Sequence, residues 1–116
     1  MNAMQYMLLI HEDHEAYRSQ PALQAVVAAH MRLVAEMQEK GVFVAGSGLQ
    51  PPETATTVRR SGEGRTVHDG PFPESREQLG GYYLIDVPDL DQAIDWARKV
   101  PVVEGGGVEV RPLLVH

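Results

Sequence analysis

Two side chains in this sequence have the chemistry for proton transfer, the imidazole of His30 and the carboxylate of Asp69. An imidazole titrates near neutral pH, so it can act as a general acid or a general base. A carboxylate can orient such an imidazole or accept a hydrogen bond from a substrate hydroxyl. These two residues therefore form the candidate catalytic pair, with His30 as the proton carrier and Asp69 as its orienting partner.

His30 lies on the apolar face of a predicted helix. Pro21 predicts the start of this helix, and Gly41 predicts its end near Lys40. At 100° per residue from Leu23, His30 lies at about 340°, near the middle of an apolar stripe. Two interpretations follow, a core imidazole held by hydrogen bonds or a proton carrier that lines a cavity. The other members of the stripe are Val26, Val27, Leu33, Val34 and Met37.

Asp69 lies within the stretch His68-Asp69-Gly70-Pro71-Phe72, which predicts a tight turn. The turn would present an acid beside an apolar aromatic side chain. Asp often accepts a backbone N–H in such turns, so a purely structural role stands beside the pocket role. His68 and Asp69 are neighbours on an extended chain and point to opposite sides, which argues against a dyad between them.

Neither a metal nor a cofactor is expected from the remaining motifs. The two histidines of the stretch 11–15 are three residues apart in a predicted loop, whereas helical zinc ligands favour a spacing of four. That stretch is interpreted as a solvated acidic loop. The Gly-Ser-Gly at 46–48 lacks the lysine and the following helix of a phosphate-binding loop. The absence of cysteine excludes disulfides and thiolate chemistry.

Composition predicts one domain spanning residues 1–116. The chain is 43% hydrophobic and 22% charged, as is usual for a globular protein. Its formal net charge of −6 argues against nucleic acid or an anionic membrane as the main partner. The apolar run at 6–10 is too short for a signal-peptide core or a membrane span. We therefore expect a soluble, cytoplasmic protein.

The order of predicted elements is strand, helix, strand, hairpin, strand, helix, strand. Without the hairpin this is the βαββαβ pattern of the ferredoxin-like α+β fold. Asp89 is the predicted N-cap of the second helix. Tyr82 and Tyr83 point to opposite faces of their strand, and one of the two is a candidate to line a pocket. The predicted strands cover residues 6–10, 42–45, 55–60, 65–68, 81–87 and 108–114, and the predicted helices cover 21–40 and a segment from Asp89 to Pro101.

A homodimer is predicted from the strands that are apolar on both sides. Two helices can cover only one face of the sheet, yet residues 7–10 and 42–45 are apolar on both faces of their strands. Strands with two apolar faces are normally buried on both. A large bare apolar patch would be unusual on a monomer. The second face of the sheet is therefore expected to meet a second copy.

The chain resembles the YCII-related family, in its DGPF-containing branch. The resemblance rests on residues 6–10, 41–51, the Asp-Gly-Pro-Phe block at 69–72, and residues 74–81 and 108–112. Ser75 and Arg76 replace the more usual Thr and Lys. The resemblance implies a dimeric α+β barrel of ferredoxin-like subunits. The broader group includes an enzyme that removes chloride from a chlorinated hydroxyhydroquinone with a His and an Asp.

The resemblance implies that His30 corresponds to the helix histidine of that group. For the acid of that group, this chain has no Asp just after the second strand, where only Glu53 is near. Asp69 either replaces that acid or is unrelated to it. Two functional hypotheses remain. The first is a dimer that binds a small molecule between His30 and Asp69, acting as a cofactor-free lyase or isomerase if it is an enzyme. The second is a non-catalytic regulatory protein, since DGPF members often accompany extracytoplasmic-function sigma factors.

Overall fold

The computed structural model describes residues 4–114, which form six strands, two α-helices and two short 3-10 turns. Within this range no helix is long and apolar enough to cross a bilayer. The strands are β1 (Met4–Glu12), β2 (Phe43–Gly48), β3 (Thr56–Ser61), β4 (Gly64–Asp69), β5 (Gln78–Val87) and β6 (Gly107–Pro112). The helices are α1 (Gln20–Glu39) and α2 (Leu90–Ala97), and the 3-10 turns are His14–Tyr17 and Pro52–Thr54.

Local capping explains where both helices begin. The Ser19 hydroxyl accepts the Ala22 N–H at 3.3 Å ahead of α1. The Asp89 carboxylate accepts the Gln92 N–H at 2.9 Å ahead of α2, so the predicted N-cap is confirmed. Helix α1 ends at Glu39, and Gly41, directly after the C-cap Lys40, has a φ of +73° that favours glycine.

Four strands form one antiparallel sheet in the order β2-β5-β1-β6, while β3 and β4 pair only with each other. Removing the hairpin leaves the βαββαβ order with α1 and α2 as the two crossovers. The predicted ferredoxin-like α+β fold with an inserted hairpin is therefore confirmed. The central pair is β1 with β5, in which Leu8 lies opposite Tyr83 and Leu9 opposite Tyr82.

The hydrophobic core lies between the helices and one face of this sheet. Leu8 of β1, Ile85 of β5 and Met37 of α1 are fully buried. Burial alternates along β1 and β5, as expected for strands with one well-covered face. The other core members are Tyr6, Ile10, Leu33, Tyr83, Val87, Ala93 and Val100.

Helix α1 packs less closely than its sequence predicts. Leu33 and Met37, in its second half, are buried against the sheet. Leu23 and Val27, in the first half, are 41% and 48% exposed. The apolar stripe predicted for α1 is therefore closely packed against the sheet only in the second half of the helix. The first half of α1 stands away from the sheet, and its apolar side chains border the cavity described below.

The opposite face of the sheet has no helix over it in the described residues. Met7 and Leu9 of β1 lie opposite Leu84 and Tyr82 of β5, and all four are partly exposed. At the edge of this face the His11 imidazole lies 3.0 Å from a carboxylate oxygen of Glu109. The face is thus apolar at its centre and polar at its rim.

The hairpin of β3 and β4, residues 56–69, projects as an arm. The facing pair Val58 and Val67 is 60% and 69% exposed. At the base of the arm, the Arg59 guanidinium lies 4.5 Å from the centre of the Phe72 ring. An isolated two-stranded hairpin is only marginally stable in water. The arm therefore depends on its base, or on a partner, for its order.

The difference between core and arm is testable by truncation. Leu8→Ala is expected to destabilise the protein by about 2–5 kcal/mol, because it leaves a cavity in a fully packed core. Val67→Ala, the matched control on the arm, is expected to change stability by less than about 0.5 kcal/mol. Urea unfolding followed by circular dichroism measures both. Equal losses for the two variants would contradict this description of the core.

Candidate functional site

A cavity of about 850 Å³ lies between the first half of α1 and the sheet. Its size is within the range of small-molecule sites, which are mostly apolar with a few polar groups. The apolar wall is formed by Ile10, Leu23, Val26, Val27, Met31 and Val34. The polar groups come from β1, the 3-10 turn after it, α1 and β5, and they are described in turn below.

Two glycines leave room for the polar side chains. A Cβ atom on Gly46 of β2 would lie 2.6 Å from Cδ1 of Tyr83, so a side chain there would displace that ring. Gly80 has no partner on β1, because the register of β1 and β5 shifts between Ile10 and His11. A Cβ atom on Gly80 would lie 2.9 Å from Cε1 of His14. Side chains at these two positions would therefore close the cavity from the sheet side.

His30 of α1 and Tyr83 of β5 form a hydrogen-bonded pair at the cavity wall. His30 Nδ1 lies 2.7 Å from the Tyr83 hydroxyl. Burial lowers the pKa of His30, and the negative charge of Glu12 opposes that shift. Burial also raises the pKa of Tyr83. At neutral pH the pair therefore consists of an uncharged imidazole and an uncharged phenol.

Glu12 is the carboxylate of this cavity. Its side chain belongs to the last residue of β1, and the residue is only 4% exposed. One carboxylate oxygen, Oε1, accepts the Tyr17 hydroxyl at 2.7 Å and the Val103 N–H at 3.2 Å. Burial, followed by the hydrogen bond to Glu12, raises the pKa of Tyr17. Tyr17 therefore keeps its proton and donates a hydrogen bond to the carboxylate.

Two further side chains border the same end of the cavity. The His14 ring meets Tyr17 edge-on, with ring centroids 6.3 Å apart. Its Nδ1 is buried and has no hydrogen-bond partner in residues 4–114. Arg18 forms ion pairs with both Glu15 and Glu53. Its guanidinium charge is therefore neutralised from two sides.

Asp69 lies elsewhere. It is the last residue of β4, is exposed, and pairs with Thr56 along the arm. It does not border the cavity in the described part of the chain. Because β4 pairs only with β3, the arm carries Asp69 away from the sheet that positions His30. The protomer therefore brings His30 together with Glu12 and Tyr83 rather than with Asp69.

Comparison with known proteins places this chain in a family. A family model described as the YCII-related domain matches residues 4–115. The chain belongs to the YCII-related family. An uncharacterized protein of Rhizobium meliloti (strain 1021) is 41% identical over 92 residues, which covers 74% of this chain and 74% of that relative.

Three polar residues of this YCII-related protein escaped the sequence analysis. Glu12 and His14 were assigned to a solvated loop, which was wrong because β1 continues to Glu12 and both residues border the cavity. The alternation of buried residues at 6, 8 and 10 that continues to Glu12 is visible only in the structure, because residues 6–10 are all apolar in the sequence. Tyr17 gave no pattern in the sequence either. Of the two adjacent tyrosines, Tyr83 forms the hydrogen bond to His30.

The titration of His30 tests the electrostatics of the site. Its pKa is expected to lie below about 6.5, the usual value for histidine, because burial penalises the imidazolium. Glu12→Gln removes the opposing negative charge, so it should lower the pKa of His30 further. NMR titration of the His30 Cε1 proton measures both effects, with Glu63→Gln on the arm as the control. A rise of the pKa in Glu12→Gln would refute the assignment.

The same shift predicts a pH dependence of stability. The unfolded chain protonates His30 below about pH 6.5, whereas the native state resists protonation until its lower pKa is reached. The contribution of His30 to stability is therefore lost as pH falls from about 6.5 towards the native pKa. His30→Asn should reduce the fall in Tm between about pH 7.5 and 5.5 relative to wild type. The exposed His68→Asn is the matched control.

Proposed function

We propose that this protein belongs to the DGPF branch of the YCII-related family and binds a small molecule in the cavity between α1 and the sheet. The Asp-Gly-Pro-Phe block at 69–72 supports the branch. The neutral His30–Tyr83 pair at the wall of an apolar cavity supports the binding of a small molecule there. A buried imidazole that is uncharged at neutral pH is ready to accept a proton from a ligand held in front of it.

The proposed chemistry is proton transfer by His30, as in a cofactor-free lyase or isomerase. When Nδ1–H donates to the Tyr83 hydroxyl, the lone pair on Nε2 is free to take a proton from the ligand. The imidazolium that forms keeps its hydrogen bond to the Tyr83 oxygen. The negative charge of Glu12 favours that imidazolium. The residues at the cavity thus supply a base, a partner that orients it, and a counter-charge.

A role for Asp69 stays a prediction. Its carboxylate lies outside the cavity of its own protomer. The Asp69→Asn variant tests this role in the C–H exchange assay described below, side by side with His30→Asn. If Asp69 acts in the reaction, the two variants should lose activity together, and if Asp69 is only a turn residue, Asp69→Asn should retain it.

We also propose that the protein is a homodimer formed through the open face of the sheet. The partly exposed residues Met7, Leu9 and Leu84 make the centre of that face apolar. Burial of apolar area contributes about 25 cal/mol per Å² of surface removed from water, which favours pairing of two such faces. The dimeric α+β barrel of the family resemblance has this arrangement.

The dimer is testable by one charge on the open face. Wild-type protein is expected to scatter light as twice the chain mass of 12.8 kDa at micromolar concentration. Leu84→Glu should shift the mass to that of a monomer, because a carboxylate would be buried without a partner in the interface. Val58→Glu, on the arm, is the matched control and should remain dimeric. A monomeric wild-type protein would end the proposal.

The proton-transfer function is testable without knowing the substrate. Small phenols, keto acids and amines are first screened for an increase in Tm, since a ligand that binds the native state stabilises it. Those that bind are incubated with protein in D₂O, and NMR follows exchange of their C–H protons. Wild type should catalyse exchange, and His30→Asn should slow it by about 10²-fold or more. Equal exchange rates with both proteins would refute a catalytic role for His30.

A second candidate function is supported by the arm. Its exposed Val58 and Val67 are available to a protein partner, as a regulatory protein of a sigma factor would require. In a pull-down with the accompanying extracytoplasmic-function sigma factor, the wild-type protein should bind. The double variant Val58→Ser, Val67→Ser should not. Loss of binding with unchanged ligand exchange would favour this function over the cavity function. No binding by wild type would remove it.

A further inference from the structure

The charge of Glu12 has no counter-cation in the described structure. No lysine, arginine or histidine nitrogen in residues 4–114 forms an ion pair with its carboxylate. Buried carboxylates in proteins are normally paired with a cation or a metal, because removing a charge from water is costly. The Tyr17 hydroxyl and the Val103 N–H are both neutral donors, and they leave the negative charge uncompensated.

The second oxygen of this carboxylate is free to bind a ligand. Both hydrogen bonds go to Oε1, and Oε2 accepts none from the described residues. Oε2 lies 3.2 Å from the position that a Cβ atom on Gly80 would occupy, so the missing side chain leaves space beside it. A carboxylate has about four acceptor positions, and two of them are in use. The unpartnered oxygen therefore borders the cavity with unused acceptor positions.

The described lining of the cavity offers no unpaired lysine or arginine to bind an anion. Arg18 is the one lysine or arginine among the described residues that line the cavity, and Glu15 and Glu53 already occupy it. His30 is uncharged at neutral pH because burial lowers its pKa. A ligand carboxylate or phosphate would therefore meet Glu12 without an unpaired lysine or arginine to offset the repulsion.

We propose that the cavity selects small apolar molecules that carry an ammonium group, with Glu12 as the counter-ion. The inference rests on the proposed function, because it concerns the same cavity, and it narrows the ligand class. The ammonium would donate to Oε2 of Glu12, and the apolar body would lie against Val26, Val27 and Val34 of α1. A ligand held in this way would extend from Glu12 towards His30, since both residues border the one cavity.

Three probes of the same shape and different charge test this selectivity. They are para-methylbenzylamine (a cation), para-cresol (neutral) and para-toluate (an anion). Calorimetry on the wild-type protein near neutral pH is expected to give the order amine, cresol, toluate, with the amine at least tenfold tighter than the toluate. Tighter binding of the toluate or the cresol than of the amine would overturn the inference.

Glu12→Gln provides the matched variant, since it removes the charge and keeps the shape. The amine should lose at least tenfold in affinity, while cresol binding should change little. Glu63→Gln, on the arm, controls for the overall charge of the protein. If Glu12→Gln leaves the preference for the amine unchanged, Glu12 is not the counter-ion and the inference fails.

A measurement on wild-type protein alone covers the case in which Glu12→Gln does not fold. An ammonium held by Glu12 keeps its proton, so the affinity for para-methylbenzylamine should be constant around neutral pH, where the free amine is protonated. It should also weaken with added salt, as expected for an ion pair that salt screens. Salt-independent binding would overturn the inference.

The outcomes for the two proposals differ. Equal binding of all three probes would defeat the selectivity while leaving a small-molecule cavity intact. Selective amine binding without C–H exchange would defeat the proton-transfer function while supporting Glu12 as the counter-ion. No binding of any probe would overturn the selectivity, and the broader ligand screen would then decide the cavity function.

Discussion

The antiparallel pairing of β1 with β5 is the constraint on which the rest of the structure depends. It fixes which side chains of the central strands face the helices, and it places Glu12 and Tyr83 on that same side. The register shift at Gly80 allows the pairing to continue to the end of β1. Fully buried residues such as Leu8 and Ile85 hold this pair against the second half of α1. The cavity exists because the first half of α1 does not pack against the sheet.

The two halves of α1 have different roles, since the second half contributes to stability and the first half borders the candidate site. Leu33 and Met37 hold α1 in place, so His30, one turn earlier, can face open space without weakening that contact. The polar residues come from elements that the core already fixes. Glu12, Tyr17, His30 and Tyr83 each make a hydrogen bond within the protein, as between His30 and Tyr83, and Oε2 of Glu12 accepts none from the described residues. A pre-formed pocket of this kind loses little entropy when a ligand enters.

Much of the fold could be predicted from the sequence, because it depends on local and periodic patterns. The apolar runs in β1 and β5, the N-cap at Asp89 and the stop at Gly41 all correspond to observed features. The site was harder, because it depends on which half of α1 packs closely, and periodicity does not contain that information. His30 was found through its place on the apolar stripe. Glu12 was missed because a charged residue was taken to end the strand.

The arm ends in a loop whose structure has a practical consequence. Gly62, with a φ of +61°, turns the chain between two strands in which every residue except Thr57 is exposed. Loop tips of this kind are preferred sites for proteolytic nicking and for inserted sequences. A protease added to the native protein should cut here first and leave two fragments that remain associated through the sheet. The tip is equally a place to graft a peptide tag or a fluorophore without disturbing the pocket.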